Sequence, residues 1–303
     1  MFWLLVIISG SLTVMMLLFI RESYAPILLQ RKVNRLRKET GNDLLRSKLD
    51  AGLSSKDYFN RGIVRPFKML FFSPIVLIFA VYMAIVYGYL YLLFTSITEV
   101  FEQYYGFSTS LVGLVYLGLG VGSMIGLVCF TVSTNRTIKK AIAANGGTGP
   151  AKPEVRLYLL PVAAVLLPIG FFIYGWTAAY HKHWIIPILG MAAIGVGKRN
   201  QILWLRLHYA DTASGTIFAF MAIFMYLIDA FTIYAASALA ANTVVRSIAG
   251  AVLPLAGLSM YEVLGLGWGN SLLGFIAVGL IPVPILILRY GEWLRKRFEI
   301  KTL

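Results

Sequence analysis

A single cysteine among 303 residues, Cys129, leaves this chain without a disulfide framework or a paired-thiolate metal site. Its three histidines add little, because His181 and His183 flank Lys182 in one short turn and two such ligands without a third make a weak metal site. No metal and no cofactor is therefore expected. Charge is scarce as well: 13% of residues are charged, about half of the ~25% usual in soluble domains. No nucleophile with a base beside it and no convincing carboxylate pair stands out, so enzymatic chemistry has no support. Acids are scarcer than bases, 13 against 27 Lys and Arg, for a net charge of +14. The bases fall in short segments between apolar runs, so a charge bias across a membrane explains them better than a nucleic-acid partner does.

What the chain has in quantity is apolar sequence, 59% of residues with a mean hydropathy of +0.78. Runs near the ~20 residues needed to cross a bilayer, without strand-like alternation, read as helices, since helices satisfy their own backbone groups in lipid. The expected spans are 2–20, 70–96, 109–132, 157–179, an interrupted one over 185–228, 237–258 and 268–288. The fold class is therefore an all-α polytopic membrane protein of about seven helices. "MFWLLVIISGSLTVMMLLFI" is read as a retained helix and not as a signal peptide, because its charges follow the apolar run and Pro26 blocks the nearest cleavage site. The connections 21–69 and 133–156 and the tail after Leu288 carry most of the Lys and Arg. They belong on the cytoplasmic side, which puts the first residue outside and the C-terminus inside. Within the first of them, "PILLQRKVNRLRKETGN" spaces its bases as a helix lying on anionic lipid would, or it is a solvated cationic linker.

Three groups of residues stand out from this background. Gly118, Gly122 and Gly126 recur every four residues and would form a flat helix-packing face. Arg246, in "AANTVVRSIAG", lies within a span, where a guanidinium costs at least ~2.5 kcal/mol and normally faces a cavity or a partner. It either lines a cavity, with Asn242 one turn away on the same face, or snorkels to headgroups or pairs with Asp229. "VYMAIVYGYLYLLF" holds Tyr82, Tyr87, Tyr89, Tyr91 and Phe94, with Tyr87 and Tyr91 one turn apart, suited either to stacking on organic molecules or to helix packing. Tyr87, Tyr91, Asn242 and Arg246 are the substrate-cavity candidates, and Asp229 is the ion-pair candidate.

The segment from Tyr234 to Arg297, beginning "YAASALAANTVVRSIAG", closely resembles the last two spans of fungal drug:proton antiporters of the major facilitator superfamily. "RESYAPILLQRKVNRLRKETGN" resembles that family's exit from span six and its central loop, and the stretch from Arg65 to Gly122 is similar to its spans seven and eight. The resemblance implies a helix corresponding to span six (1–20), a basic cytoplasmic central loop with an amphipathic helix (21–69) and a six-helix C-terminal transporter half (70–303). It further implies transport of small lipophilic or cationic organic molecules as in multidrug efflux, with the proton as coupling ion and the plasma membrane as location. Its partners would be membrane lipid, a small-molecule substrate and the N-terminal half that the chain lacks, without which this fragment is expected to be inactive.

Residues 198–213 depart from the family pattern, placing Lys198, Arg199, Arg206, His208 and Asp211 within one expected span. They read as a cavity-lining loop, as an excursion followed by a re-entrant helix or, the preferred reading, as a translated intron. Two rivals to a transporter remain. A seven-span G-protein-coupled receptor shares the topology, although its first connection is usually short, and a non-transporting membrane protein could bind a full-length transporter.

Overall fold

The computed structural model describes residues 2–20, 22, 25–47, 55–144, 146, 152–188 and 215–298, and every regular element among them is helical. The anomalous residues 198–213 lie outside the described residues. The chain divides into two compact units, Met1–Arg61 and Gly62–Leu303.

The first unit opens with α1 (Phe2–Phe19), apolar on every side and exposed from Trp3 onward. Its few hydroxyls turn inward onto the helix: Ser11 donates to the Ile8 carbonyl and Thr13 to that of Ser9, both at 2.8 Å. That local satisfaction is what a helix among lipid tails requires. The basic segment is helical as α2 (Ala25–Thr40), with Arg35 and Glu39 paired one turn apart at 2.7 Å. Gly41 ends it with φ +67°, the left-handed conformation that closes helices. The Arg37 guanidinium then holds the following chain by donating to the Leu45 carbonyl. Helix α3 (Ser55–Phe72) begins in this unit and continues into the next.

The second unit contains α4 (Pro74–Gln103), α5 (Thr109–Ala144), a 3₁₀ turn (Pro153–Leu157), α6 (Leu160–Ala179), α7 (Gly215–Phe231), a second 3₁₀ turn (Thr232–Tyr234), α8 (Ala235–Leu280) and α9 (Pro282–Arg297). Among the described residues five helical stretches are long and apolar enough to cross a membrane: Pro74–Gln103, Thr109–Ala144, Pro153–Ala179, Ala235–Gly257 and Ser259–Arg297. Two shorter apolar helices, Trp3–Phe19 and Thr216–Phe231, coincide with expected spans.

The element ends shift from the expected spans for local reasons. The second span starts at Pro74, because proline at the first helical position cannot donate backward and so separates α4 from α3. Helix α5 runs three turns beyond its apolar part, its polar "STNRTIKKAIAA" continuing as helix outside the hydrophobic run. The last two spans are joined in α8, whose one non-helical residue is Gly265 at φ 69°, ψ 171°. A Cβ on Gly269 would lie 2.7 Å from Tyr261 Cδ1, whereas a straight helix separates residues eight apart by ~12 Å. The chain therefore bends sharply at Gly265, in a conformation that only glycine adopts without strain.

Helix α8 packs chiefly on α4 and α6. Small residues allow the approach: a Cβ on Gly175 of α6 would fall 2.4 Å from Asn270 Cβ, and one on Gly250 of α8 would fall 2.9 Å from Tyr87 Cδ1. Without hydrophobic gain between helices in lipid, such close packing and interhelical hydrogen bonds carry association. Tyr89 donates to the Leu273 carbonyl at 3.1 Å and Trp176 to Ser271 Oγ at 3.0 Å. Of the glycines singled out in α5, Gly122 and Gly126 are buried, and for Gly118 only the helical backbone is described.

Candidate substrate cavity

Three helices meet around Arg246. Counting from Ala235, this residue lies about 16 Å along α8 at 1.5 Å per residue, near the middle of a ~30 Å hydrocarbon core. Its guanidinium lies 4.7 Å from the ring centroid of Tyr87 on α4, and 5.5 Å from those of Phe220 and Phe224 on α7. The α7 rings stand one turn apart and share a face, packed edge to face at 5.9 Å. Tyr87 closes the cage against Phe220 at 5.6 Å, and its hydroxyl donates to that of Tyr91 at 3.1 Å. Gly250, one turn beyond Arg246, makes the arrangement possible, since a side chain there would displace the Tyr87 ring.

The energetics of this cage are lopsided. Each desolvated cation–π contact contributes up to ~2 kcal/mol, so three of them can offset the insertion cost of one arginine. They do not neutralise the charge, because a guanidinium stays protonated at any accessible pH. Ring faces also offer poor hydrogen-bond acceptance, and Arg246 Nε is buried with no partner among the described residues. Asn242, one turn earlier, is fully buried, and both its amide oxygen and its amide nitrogen are unpartnered. A buried polar group left without a partner costs roughly 1–3 kcal/mol. A well-evolved helix would carry alanine at such a position unless the amide had a use.

Beside the cage is a cavity of about 310 Å³ lined by Tyr87, Leu90, Phe94, Ser123, Thr216, Ile217, Phe220 and Met221. Its size lies at the lower end of small-molecule pockets, and its wall is mostly apolar with a few hydroxyls, as such pockets usually are. Tyr87 and Phe220 belong to both cavity and cage, so the guanidinium lies directly behind two rings of the cavity wall.

The remaining candidate lies elsewhere. Asp229, at the end of α7, accepts from Arg156 Nε at 2.5 Å and makes no ion pair with Arg246. It belongs to a charged cluster at one end of the bundle, where the 3₁₀ turn before α6 meets the last turns of α7 and α9. Arg295 donates to Glu154 at 3.2 Å, and Glu292 receives both Lys152 and Lys296 at 2.8 Å. The Glu292 carboxylate holds the Lys152 ammonium above its ordinary pKa. Of the other aromatic residues proposed on α4, Tyr82 and Tyr89 are buried in the core, and Tyr89 serves the helix-packing hydrogen bond to Leu273.

Sequence reasoning brought together Tyr87, Tyr91, Asn242 and Arg246, but it missed Phe220, Phe224 and Gly250. The only signal for the first two was an aromatic pair at i, i+4 in "TIFAFMAIFMYLIDAF", common on any apolar helix. At the opposite end, His181 stacks near Tyr104 at 5.5 Å, and His183 Nδ1 accepts from the Ile185 amide at 3.4 Å. Among the described residues no group of three potential ligands could hold a metal.

The family model described as Major Facilitator Superfamily matches residues 1–254. The chain is 51% identical to the MFS-type transporter penM of Penicillium rubens, over 97% of this chain and 54% of the relative. It is 50% identical to the MFS-type transporter tndD of Aspergillus flavipes, over 100% of this chain and 53% of the relative. To the efflux pump radE of Floropilus chiversii it is 47% identical, over 99% of this chain and 53% of the relative. The chain thus spans about half the length of the curated relatives it matches, and no solved structure was found to match it. A match to the family model over most of the chain, and apolar helices of spanning length, identify an integral membrane protein that belongs to the Major Facilitator Superfamily, a family of transporters and not of enzymes.

Proposed function

We propose that this chain forms the C-terminal wall of a transport cavity through which small lipophilic, aromatic-rich organic molecules are exported across the plasma membrane. The observation that carries this reading is a cavity between apolar helices whose aromatic lining is shared with a caged arginine. Transporters of this architecture place the substrate near the membrane midplane, between halves that rock against one another. The name of one relative, an efflux pump, supports export. The excess of Lys and Arg in 21–69 and 133–156 supports a cytoplasmic position for those connections.

Of the two substrate types open from the sequence, the lipophilic one is favoured. Arg246 lies 4.7–5.5 Å from the ring centroids of Tyr87, Phe220 and Phe224, so an organic cation at these rings would meet a like charge. Proton coupling rests on the family resemblance alone. Among the described residues no carboxylate lines the cavity, and Asp229 is engaged by Arg156.

The reading is tested by co-expressing the chain with the first half of the MFS-type transporter penM and following efflux of a lipophilic fluorescent dye from proteoliposomes. Efflux is expected when both parts are present, with a drop of tenfold or more on Phe220→Ala. Co-purified, correctly inserted parts that move no dye would count against it.

A further inference from the structure

We propose that the cavity beside Arg246 selects acidic lipophilic molecules, those joining an apolar aromatic body to a carboxylate, phenolate or enolate. This rests on the reading of the cavity as a substrate site and deepens it by naming the charge of what enters.

Four observations lead there. The charge of Arg246 is permanent and lies at mid-depth, where an unneutralised cation is most costly. The described carboxylates around the opposite-charge end of the bundle are committed elsewhere: Asp229 to Arg156, Glu154 to Arg295, and Glu292 to Lys152 and Lys296. Arg246 Nε is buried with no acceptor among the described residues, so what the cage withholds from the guanidinium is an anion and not a further ring. Asn242, one turn away and fully buried, is a second polar side chain on this face with no partner among the described residues, so nothing there neutralises the guanidinium.

The guanidinium acts on a molecule in the cavity from behind the Tyr87 and Phe220 rings, through its field, and an oxyanion there is attracted to it. The cavity wall of Tyr87, Phe94 and Phe220 provides for the rest of the molecule. A lipophilic cation meets the same apolar wall but is repelled by the arginine, and in a site of low polarity that repulsion is weakly screened. A neutral analogue gains the wall and loses the ion pair. Rank order of binding therefore follows charge: anion, then neutral, then cation.

The test uses three probes with one aromatic body: pyrenebutyrate, pyrenebutanol and pyrenebutylamine. Binding to the whole chain is measured in nanodiscs of zwitterionic phosphatidylcholine, with empty discs as the partition control. Pyrenebutyrate is expected to bind at least tenfold more tightly than pyrenebutanol, and pyrenebutylamine more weakly than either. Arg246→Gln should abolish the preference, bringing the anion and the neutral probe to the same affinity. Arg246→Lys should keep most of the anion preference. A cooperative melting transition shows that each variant is folded. If the three probes bind alike, or the anion preference survives Arg246→Gln, the proposed charge selectivity is overturned while the cavity reading stands. If none binds above empty discs, the cavity reading fails and the selectivity with it.

Discussion

The molecule handles its buried and half-buried charges in two opposite ways. At the Asp229 end, where the 3₁₀ turn before α6 meets α7 and α9, cations find carboxylates: Arg156 with Asp229, Arg295 with Glu154, Lys152 and Lys296 with Glu292. About a quarter of the way along α8, Arg246 has no carboxylate partner among the described residues and is surrounded by Tyr87, Phe220 and Phe224. The first arrangement is what a chain does with charge that only has to hold helices together. The second keeps charge available, with rings compensating for lost water and nothing compensating for the missing anion. A side chain held in that state is costly to the fold, and stability sacrificed in this way is a common mark of a working site.

That contrast gives variants with opposite signs. The largest effect is expected at the paired end, where Asp229→Asn leaves Arg156, 25% exposed, facing an amide. A lost hydrogen bond between charged groups contributes roughly 1.5–3 kcal/mol. Partial exposure places the expected loss near the lower limit, read as a fall in the melting temperature of the detergent-solubilised chain. A double-mutant cycle with Arg156→Gln should recover most of that loss as coupling. At the cage the sign reverses. Arg246→Met removes a charge that has no counter-charge and puts a flexible apolar side chain among three rings. The chain should be as stable as before or gain up to ~1 kcal/mol, in line with replacing buried ionic groups by hydrophobic ones, while anion binding is lost.

Gly250→Ala should have a smaller effect of a third kind. Its methyl would stand 2.9 Å from Tyr87 Cδ1, so the ring must shift by tenths of an ångström. Binding of aromatic probes should weaken several-fold with little change in melting. The smallest effect belongs to Lys152→Ala, where a 2.8 Å pair lies on an exposed surface with the lysine side chain 65% accessible. Surface pairs of this kind often contribute nothing measurable, so no change in melting is expected. A substantial destabilisation there would mean that the charged end acts as one network and not as separate pairs.

Much of the fold was legible because lipid makes simple demands. Long apolar runs must be helices, and the runs at 109–132, 157–179 and 237–258 fall on α5, α6 and α8. The errors lie where local stereochemistry decides. Pro74 moves the start of a span by four residues, and Gly265 joins what reads as two helices while bending the chain between them. Arg246 was legible because an arginine in an apolar run is expensive wherever it points. Its partners were not, because Phe220 and Phe224 lie 26 and 22 residues away in an element where aromatics are unremarkable. Sequence could offer Asp229 as a counter-ion only by elimination. The choice of Arg156 over Arg246 depends on which helix ends meet, a tertiary fact with no local signature. The glycines show the same limit. Close contacts with other helices at Gly175 and Gly250 have no repeat in the sequence to mark them.

The most direct measurement of the central claim, that the cavity receives the molecule being moved, uses the chain's one cysteine. With Cys129 replaced by serine, new thiols are introduced by Ser123→Cys in the cavity wall and by Leu286→Cys, whose native side chain is 53% exposed on α9. Both are labelled with a membrane-permeant maleimide in nanodiscs, with and without saturating pyrenebutyrate. The account predicts that the ligand slows labelling at position 123 by tenfold or more and leaves position 286 unchanged. Equal labelling at position 123 with and without a ligand that is demonstrably bound would place the binding site elsewhere and contradict it.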